Sequence, residues 1–244
     1  MLDFDTLDHE ILFSRLQNRF GISGRVLGWF SSYLRDRSQS VVIRNGHTSS
    51  RQYIKRGVPQ GTALGPALFT LYTSPIEDII ARHGLESMIY ADDIQVYIAC
   101  KRPDSVTASV EECLDEIRSW MYYFSMMLKP EVMHCKSRFD DSQTIKSIRV
   151  GDEAITLSTS VRNLGVIFDS NCSMESFMSQ TCKSISFALF KIGRIRRLLD
   201  MKSTEKLVHA MITSRLDYCN SLYYNMSISQ FKKNSKACRM PLPK

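Results

Sequence analysis

Two adjacent carboxylates, Asp92 and Asp93, sit at the centre of an otherwise apolar, strand-forming run, Met88-Ile89-Tyr90-Ala91-Asp92-Asp93-Ile94-Gln95-Val96-Tyr97. The alternation before them (Met88, Tyr90) and after them (Ile94, Val96) reads as two short strands. Ala91-Asp92 reads as the tight turn between them. Two charges at the tip of a hydrophobic hairpin cost free energy unless something neutralises them. A divalent cation would do so, and Mg²⁺ takes one or two carboxylates plus substrate phosphates in preference to an all-protein cage. Taken alone, the pair also reads as a solvated Asp-Asp turn.

A second stretch lies upstream. Arg56-Gly57-Val58-Pro59-Gln60-Gly61-Thr62-Ala63-Leu64-Gly65-Pro66-Ala67-Leu68-Phe69 is a Gly- and Pro-rich loop that opens into an apolar helix. Together the two stretches, G-x-P-Q-G-x-x-L-x-P-x-L-F followed by Y-x-D-D, resemble the reverse transcriptases of LINE-like, non-LTR retrotransposons. Phe4-Asp5-Thr6-Leu7-Asp8-His9 and Asn163-Leu164-Gly165-Val166 are further matches. The resemblance runs from about residue 3 to about residue 224.

The resemblance implies an α+β polymerase palm, a split βαβ sheet with helices on one face, followed by a helical thumb-like region. It implies RNA-templated DNA synthesis, in which a primer 3′-hydroxyl attacks the α-phosphate of a dNTP with the help of two metal ions. The implied cofactor is Mg²⁺ (or Mn²⁺), and the partners are an RNA template, a DNA primer and dNTP. Asp92 would be the direct metal ligand, with Asp93 nearby and less engaged, and Tyr90 would pack beside the primer end. The Gln60 amide would hydrogen-bond nucleotide or template, while Gly57 and Gly61 would let backbone approach nucleic acid closely. Phe4, on a strand with Asp5, would sit under the sugar and disfavour a 2′-hydroxyl. Leu164 and Gly165 would belong to the strand that grips the primer.

Two departures stand beside these matches. The family's other catalytic Asp lies five residues before the aromatic at Phe4, a count that passes Met1. Asp3 and Asp5 do not replace it without rearrangement, because each residue moves a strand by about 3.2–3.4 Å and alternates its face. The fingers would also lie upstream. At Leu128-Lys129-Pro130-Glu131-Val132 three residues are missing, including the family's Lys-Thr pair, and Lys129 stands where the family has Asn. Two readings follow. One is a reverse transcriptase domain of a retrotransposon-derived protein. The other is a catalytically inactive, truncated remnant with residual nucleic-acid binding. On the missing Asp, the chain by itself is expected to be inactive.

Composition narrows the setting. Apolar residues make up 43% and charged residues 23%, ordinary values for a chain that buries a core. No run of 18 apolar residues and no signal peptide are visible. Seven scattered cysteines without C-x-x-C argue against a disulfide framework or a zinc site. An intracellular location, nucleus or cytoplasm, is expected. The net charge of +7 is uneven: residues 174–244 hold 13 Lys/Arg against 4 Asp/Glu, and residues 1–173 hold 19 against 21. The basic excess, including Arg194, Arg196, Arg197 and Lys202, points to a polyanion, and a solvated helix surface is the alternative.

The positioning elements are read from periodicity. Asp8 and Ser23 cap two helices, Asn45-Gly46 closes a hairpin, and Pro66 and Ser74-Pro75 open two more helices. Val106 to Phe124 is the clearest amphipathic helix. Strands are expected at Val132–Cys135, Ile148–Val150 and Ala154–Leu157, and Val161–Phe168 reads as one extended run. Helical stripes through Leu198 and from Leu207 to Leu216 follow. The expected organisation is a palm-like core over 1–170, a thumb-like region over 171–225 and a frayed tail over 226–244.

Overall fold

The computed structural model describes residues 4–43, 46–58, 61–101, 104–123, 129–136, 145–224 and 226. Asp3, Asn45, Gln60, Phe124, Leu128 and the tail from residue 227 lie outside the described residues. The chain forms two compact units, residues 1–130 with 145–155, and residues 131–144 with 156–244.

The first unit begins with a 3₁₀ turn at Phe4–Thr6. Asp8 then caps α1 (His9–Asn18), its carboxylate accepting from the N–H groups of Glu10 at 3.0 Å and Ile11 at 3.4 Å. Helix α2 (Gly24–Leu34) follows, then a ribbon whose base pairs β1 (Ser38–Gln39) with β2 (Gln52–Tyr53). Helices α3 (Gly65–Thr73) and α4 (Pro75–Arg82) each place a proline in the first turn, where its missing N–H is not needed. The hairpin of β3 (Glu86–Tyr90) and β4 (Asp93–Tyr97) comes next, then α5 (Asp104–Tyr123). Leu12 and Leu16 of α1, Phe69 and Tyr72 of α3, Ile76 of α4 and Cys113 and Ile117 of α5 form one core. Arg15 sits within it, its guanidinium 4.4 Å from the Tyr72 ring and 5.1 Å from that of Trp120, so one cation bridges α1, α3 and α5. β5 (Ser147–Val150) pairs with β6 (Glu153–Thr156). Glu111 and Arg118 of α5 hold this pair through the Arg149 N–H, at 2.7 Å, and the Val150 carbonyl, at 3.2 Å.

In the second unit, β7 (Ser160–Asn163) and β8 (Val166–Asp169) form a hairpin against α6 (Glu175–Ile195). Val166, Met174 and Phe177 make its core, and Phe177 stacks on Tyr223 at 5.5 Å. A 3₁₀ turn at Arg196–Leu198 leads to α7 (Met201–Val208), capped by the Asp200 carboxylate on the Ser203 N–H at 2.7 Å. A π turn at His209–Thr213 separates α7 from α8 (Ser214–Asp217).

The α+β class holds, with several corrections to its detail. Among the described residues the strands form four separate two-stranded ladders, not one split βαβ sheet. Phe4–Thr6 is a 3₁₀ turn and not a strand, because the chain must swing directly into the Asp8 cap. Val132–Cys135 is not a strand; it runs alongside the hairpin unit by single bonds, Ser158 N–H to Val132 O at 2.8 Å and Lys136 N–H to Ser170 O at 3.0 Å. Val161–Phe168 is broken by a turn into β7 and β8. The first helical stripe stops at Ile195 and leaves Leu198 86% exposed, and the second is interrupted by the π turn.

Candidate functional site

The hairpin tip has the geometry expected from the Tyr90-Ala91-Asp92-Asp93 sequence. Register pairs Ile89 with Ile94 and Tyr90 with Asp93, so Ala91 and Asp92 alone make the turn. Ala91 has φ 54°, a left-handed conformation that costs a non-glycine residue about 1–2 kcal/mol. Ile94 and Val96 pack on the core behind the hairpin. Asp92 and Asp93 are both exposed, and neither carboxylate has a hydrogen-bond or ion-pair partner among the described residues. Tyr90, directly opposite Asp93 on the ladder, is 67% exposed. No cluster of three His, Cys, Asp or Glu side chains occurs among the described residues. The tip therefore offers two carboxylates with open acceptor oxygens, a set that suits a hard cation completed by substrate phosphates.

The Gly- and Pro-rich loop is anchored at its start. Gly57, at φ 89°, donates its N–H to Leu7 O at 2.7 Å, and His9 donates from Nε2 to Gly57 O at 2.8 Å. Asp8 and Arg56 form an antiparallel bridge and an ion pair at 3.6 Å. Val58 is buried, Gly61 is exposed at φ 78°, and α3 begins four residues later. Gln60, between these anchors, lies outside the described residues, and of Phe4 only the 3₁₀ backbone is described. The link from His9 to Gly57 was missed in the sequence; its signal was the His that ends the Phe4–His9 match.

In the second unit, Leu164 and Gly165 are the two turn residues of the β7–β8 hairpin, at φ 47° and 82°. Positive φ at both central positions is the form that matches the twist of the flanking strands. The Tyr218 hydroxyl donates to Leu164 O, and its ring lies 3.7 Å from where a Cβ on Gly165 would stand. Tyr218 was also missed, since no local pattern connects it to residue 164. Arg194, Arg196, Arg197 and Lys202 are all exposed, spread over the end of α6, the 3₁₀ turn and the start of α7.

These features coincide with a family match. The sequence profile of the reverse transcriptase (RNA-dependent DNA polymerase) family matches residues 3–168, and the chain belongs to that family. It is 24% identical over 211 residues to a probable RNA-directed DNA polymerase from transposon BS of Drosophila melanogaster, covering 84% of this chain and 23% of that protein. It is 23% identical over 210 residues to the RNA-directed DNA polymerase from mobile element jockey of Drosophila funebris, covering 83% of this chain and 23% of that protein. The chain thus spans about a quarter of the length of these curated relatives. No helix among the described residues is long and apolar enough to cross a membrane.

Proposed function

We propose that the chain is the core of an RNA-directed DNA polymerase of a LINE-like retrotransposon, joining dNTPs to a DNA primer on an RNA template. The observation that carries this reading is the exposed Asp92-Asp93 pair at the hairpin tip, Asp92 in the turn and Asp93 opposite Tyr90, with no carboxylate partner among the described residues. Mg²⁺ (or Mn²⁺), when bound, lowers the pKa of the attacking 3′-hydroxyl and stabilises charge on the leaving pyrophosphate. Asp92, in the turn, would hold the cation, and Asp93 would offer the adjacent carboxylate from the first residue of β4. Tyr90 packs beside the primer end on the same ladder face as Asp93. Gly61 lets the loop backbone approach the nucleic acid, and the Gln60 amide hydrogen-bonds the incoming nucleotide or the template strand. Phe4 discriminates against a 2′-hydroxyl. Leu164 and Gly165 present turn backbone to the primer, and Arg194, Arg196, Arg197 and Lys202 neutralise phosphates of the duplex product. In this reading residues 1–170 are the palm-like core and residues 171–225 the thumb-like region.

The inactive-remnant reading rests on a residue that would precede Met1. The family match over residues 3–168 and relatives named as RNA-directed DNA polymerases favour the polymerase reading. The test is primer extension on an RNA template with Mg²⁺ or Mn²⁺. Extension by the parent that is lost in Asp92→Asn supports the proposal. Equal background in both variants overturns it in favour of the remnant.

A further inference from the structure

The charge of the N-terminal part hides a strong local asymmetry. Residues 35–56 hold six Lys/Arg and one acid, Asp36, a net of +5. The remainder of residues 1–173 holds 13 Lys/Arg against 20 Asp/Glu, a net of −7. Two of these cations are already paired, Arg35 with Glu10 at 2.7 Å and Arg56 with Asp8 at 3.6 Å, and the ribbon based on β1 and β2 lies between them. Every described residue from Arg35 to Tyr53 is exposed. That includes Val41 at 67%, Val42 at 69%, Ile43 at 64% and Tyr53 at 71%. A two-stranded ribbon that buries no side chain is marginal by itself in water, and a β-branched, aromatic surface left open on one marks a binding element.

The return strand carries the sharper pattern. Arg51, Tyr53 and Lys55 alternate at two-residue spacing, and all three are exposed, whereas Ile54 between them is half-buried. Ladder bonding continues past Tyr53, through Ile54 N–H to Arg37 O at 2.8 Å, so the segment stays extended. The register changes by one residue between the Val42–Thr48 bridge and the Gln39–Gln52 pair, so a bulge precedes Gln52, and Arg51, Tyr53 and Lys55 stand exposed around the two-residue strand β2. Arg51 and Lys55 have no ion-pair or hydrogen-bond partner among the described residues. Arg37, at the base, already donates from Nε to Tyr33 O at 2.9 Å and stacks on that ring at 5.0 Å.

We propose that this exposed segment of the ribbon, Arg51 to Lys55, is a binding site for single-stranded nucleic acid. Arg51 and Lys55 take successive phosphates, and the Tyr53 ring takes the face of a base between them. The positive charge selects a polyanion. The open apolar surface selects a single strand over a duplex, because a duplex shows phosphates and hides its base faces in the stack, whereas unpaired bases stack on aromatic side chains. The site lies on residues given no role in the polymerase proposal, and its test uses neither metal nor dNTP, so the two can fail separately.

The test is fluorescence anisotropy of a labelled 20-nucleotide oligouridylate and, separately, a 20-base-pair DNA duplex, against the full 244-residue chain across a salt series. Arg51→Gln/Lys55→Gln should reduce the slope of log affinity against log salt on the single strand by about 1.4, two contacts at about 0.7 each. Tyr53→Ala should weaken single-strand binding about tenfold with an unchanged slope, and Tyr53→Phe should retain parent affinity. Duplex binding should change far less in every variant. The proposal is overturned if Tyr53→Ala binds the single strand as the parent does while folded by circular dichroism. It is also overturned if the charge variant affects strand and duplex alike. Sedimentation decides the remaining outcome: a parent dimer that Tyr53→Ala makes monomeric, with RNA affinity unchanged, would make the ribbon a protein interface and sink the idea.

Discussion

The hairpins β3–β4 and β7–β8 are built alike and held in opposite ways. Both are antiparallel and both close on two residues, Ala91-Asp92 and Leu164-Gly165. The first is held from behind, by Ile94 and Val96 on the core, and no side chain among the described residues bonds its tip. The second is fastened at the tip, where the Tyr218 hydroxyl takes the Leu164 carbonyl. Under the proposed function the first turn offers side chains to a cation, and among the described residues the Asp92 and Asp93 carboxylates keep their acceptor oxygens open. A turn that offers only backbone loses nothing by being pinned. Both turns carry a non-glycine residue at left-handed φ, Ala91 in the first and Leu164 in the second, and only the pinned turn adds a glycine, Gly165, beside it.

The comparison breaks most sharply at the carboxylates. Asp92→Asn should lower primer extension by more than about 100-fold, beyond what loss of a partner outside the metal's own ligands costs, while leaving the urea midpoint unchanged. A turn that tolerates this change without loss of activity is not a metal-holding tip. The backing of the same hairpin answers to pH. Burial pushes the Cys113 thiol on α5 up to about 11 from 9.0. A thiol raised in the folded state contributes stability that is complete below pH 9.0 and is lost as pH rises through about 11. Alkaline unfolding followed by circular dichroism should show this loss in the parent, and Cys113→Ala should flatten it.

Smaller effects separate the two turns. Gly165→Ala should destabilise the second unit by about 1–2 kcal/mol through its left-handed backbone alone, since Tyr218 leaves room for a methyl group. Tyr218→Phe should cost about 1 kcal/mol, the net worth of one hydrogen bond, and speed hydrogen exchange in β7–β8 and not in β3–β4. The reciprocal change, Ala91→Gly, should shift stability by less than about 1 kcal/mol, because relief of the left-handed strain is offset by the greater freedom of glycine in the unfolded chain. A large gain or loss there, measured by urea denaturation, would show that the first turn is fastened by more than its register and backing.

Much of this was legible in the chain itself. Asp8 capping α1, prolines opening α3 and α4, the amphipathic α5 and the two-residue turn at Ala91-Asp92 all depend on neighbours within a few residues, and such short-range bonds and periodicities are written locally. What tertiary structure decided was everything that needs a distant partner. An extended backbone stays a strand only where another strand meets it, so Val132–Cys135 remained irregular and the Val161–Phe168 run folded back on itself at Leu164-Gly165. His9 reaches Gly57 across 48 residues and Tyr218 reaches Leu164 across 54, pairings that no periodicity encodes. The ribbon of residues 35–56 shows the same division. Its charge could be counted in the sequence, but its exposure on every described side chain from Arg35 to Tyr53 is a property of the folded chain, because burial depends on what the rest of the protein brings to a surface.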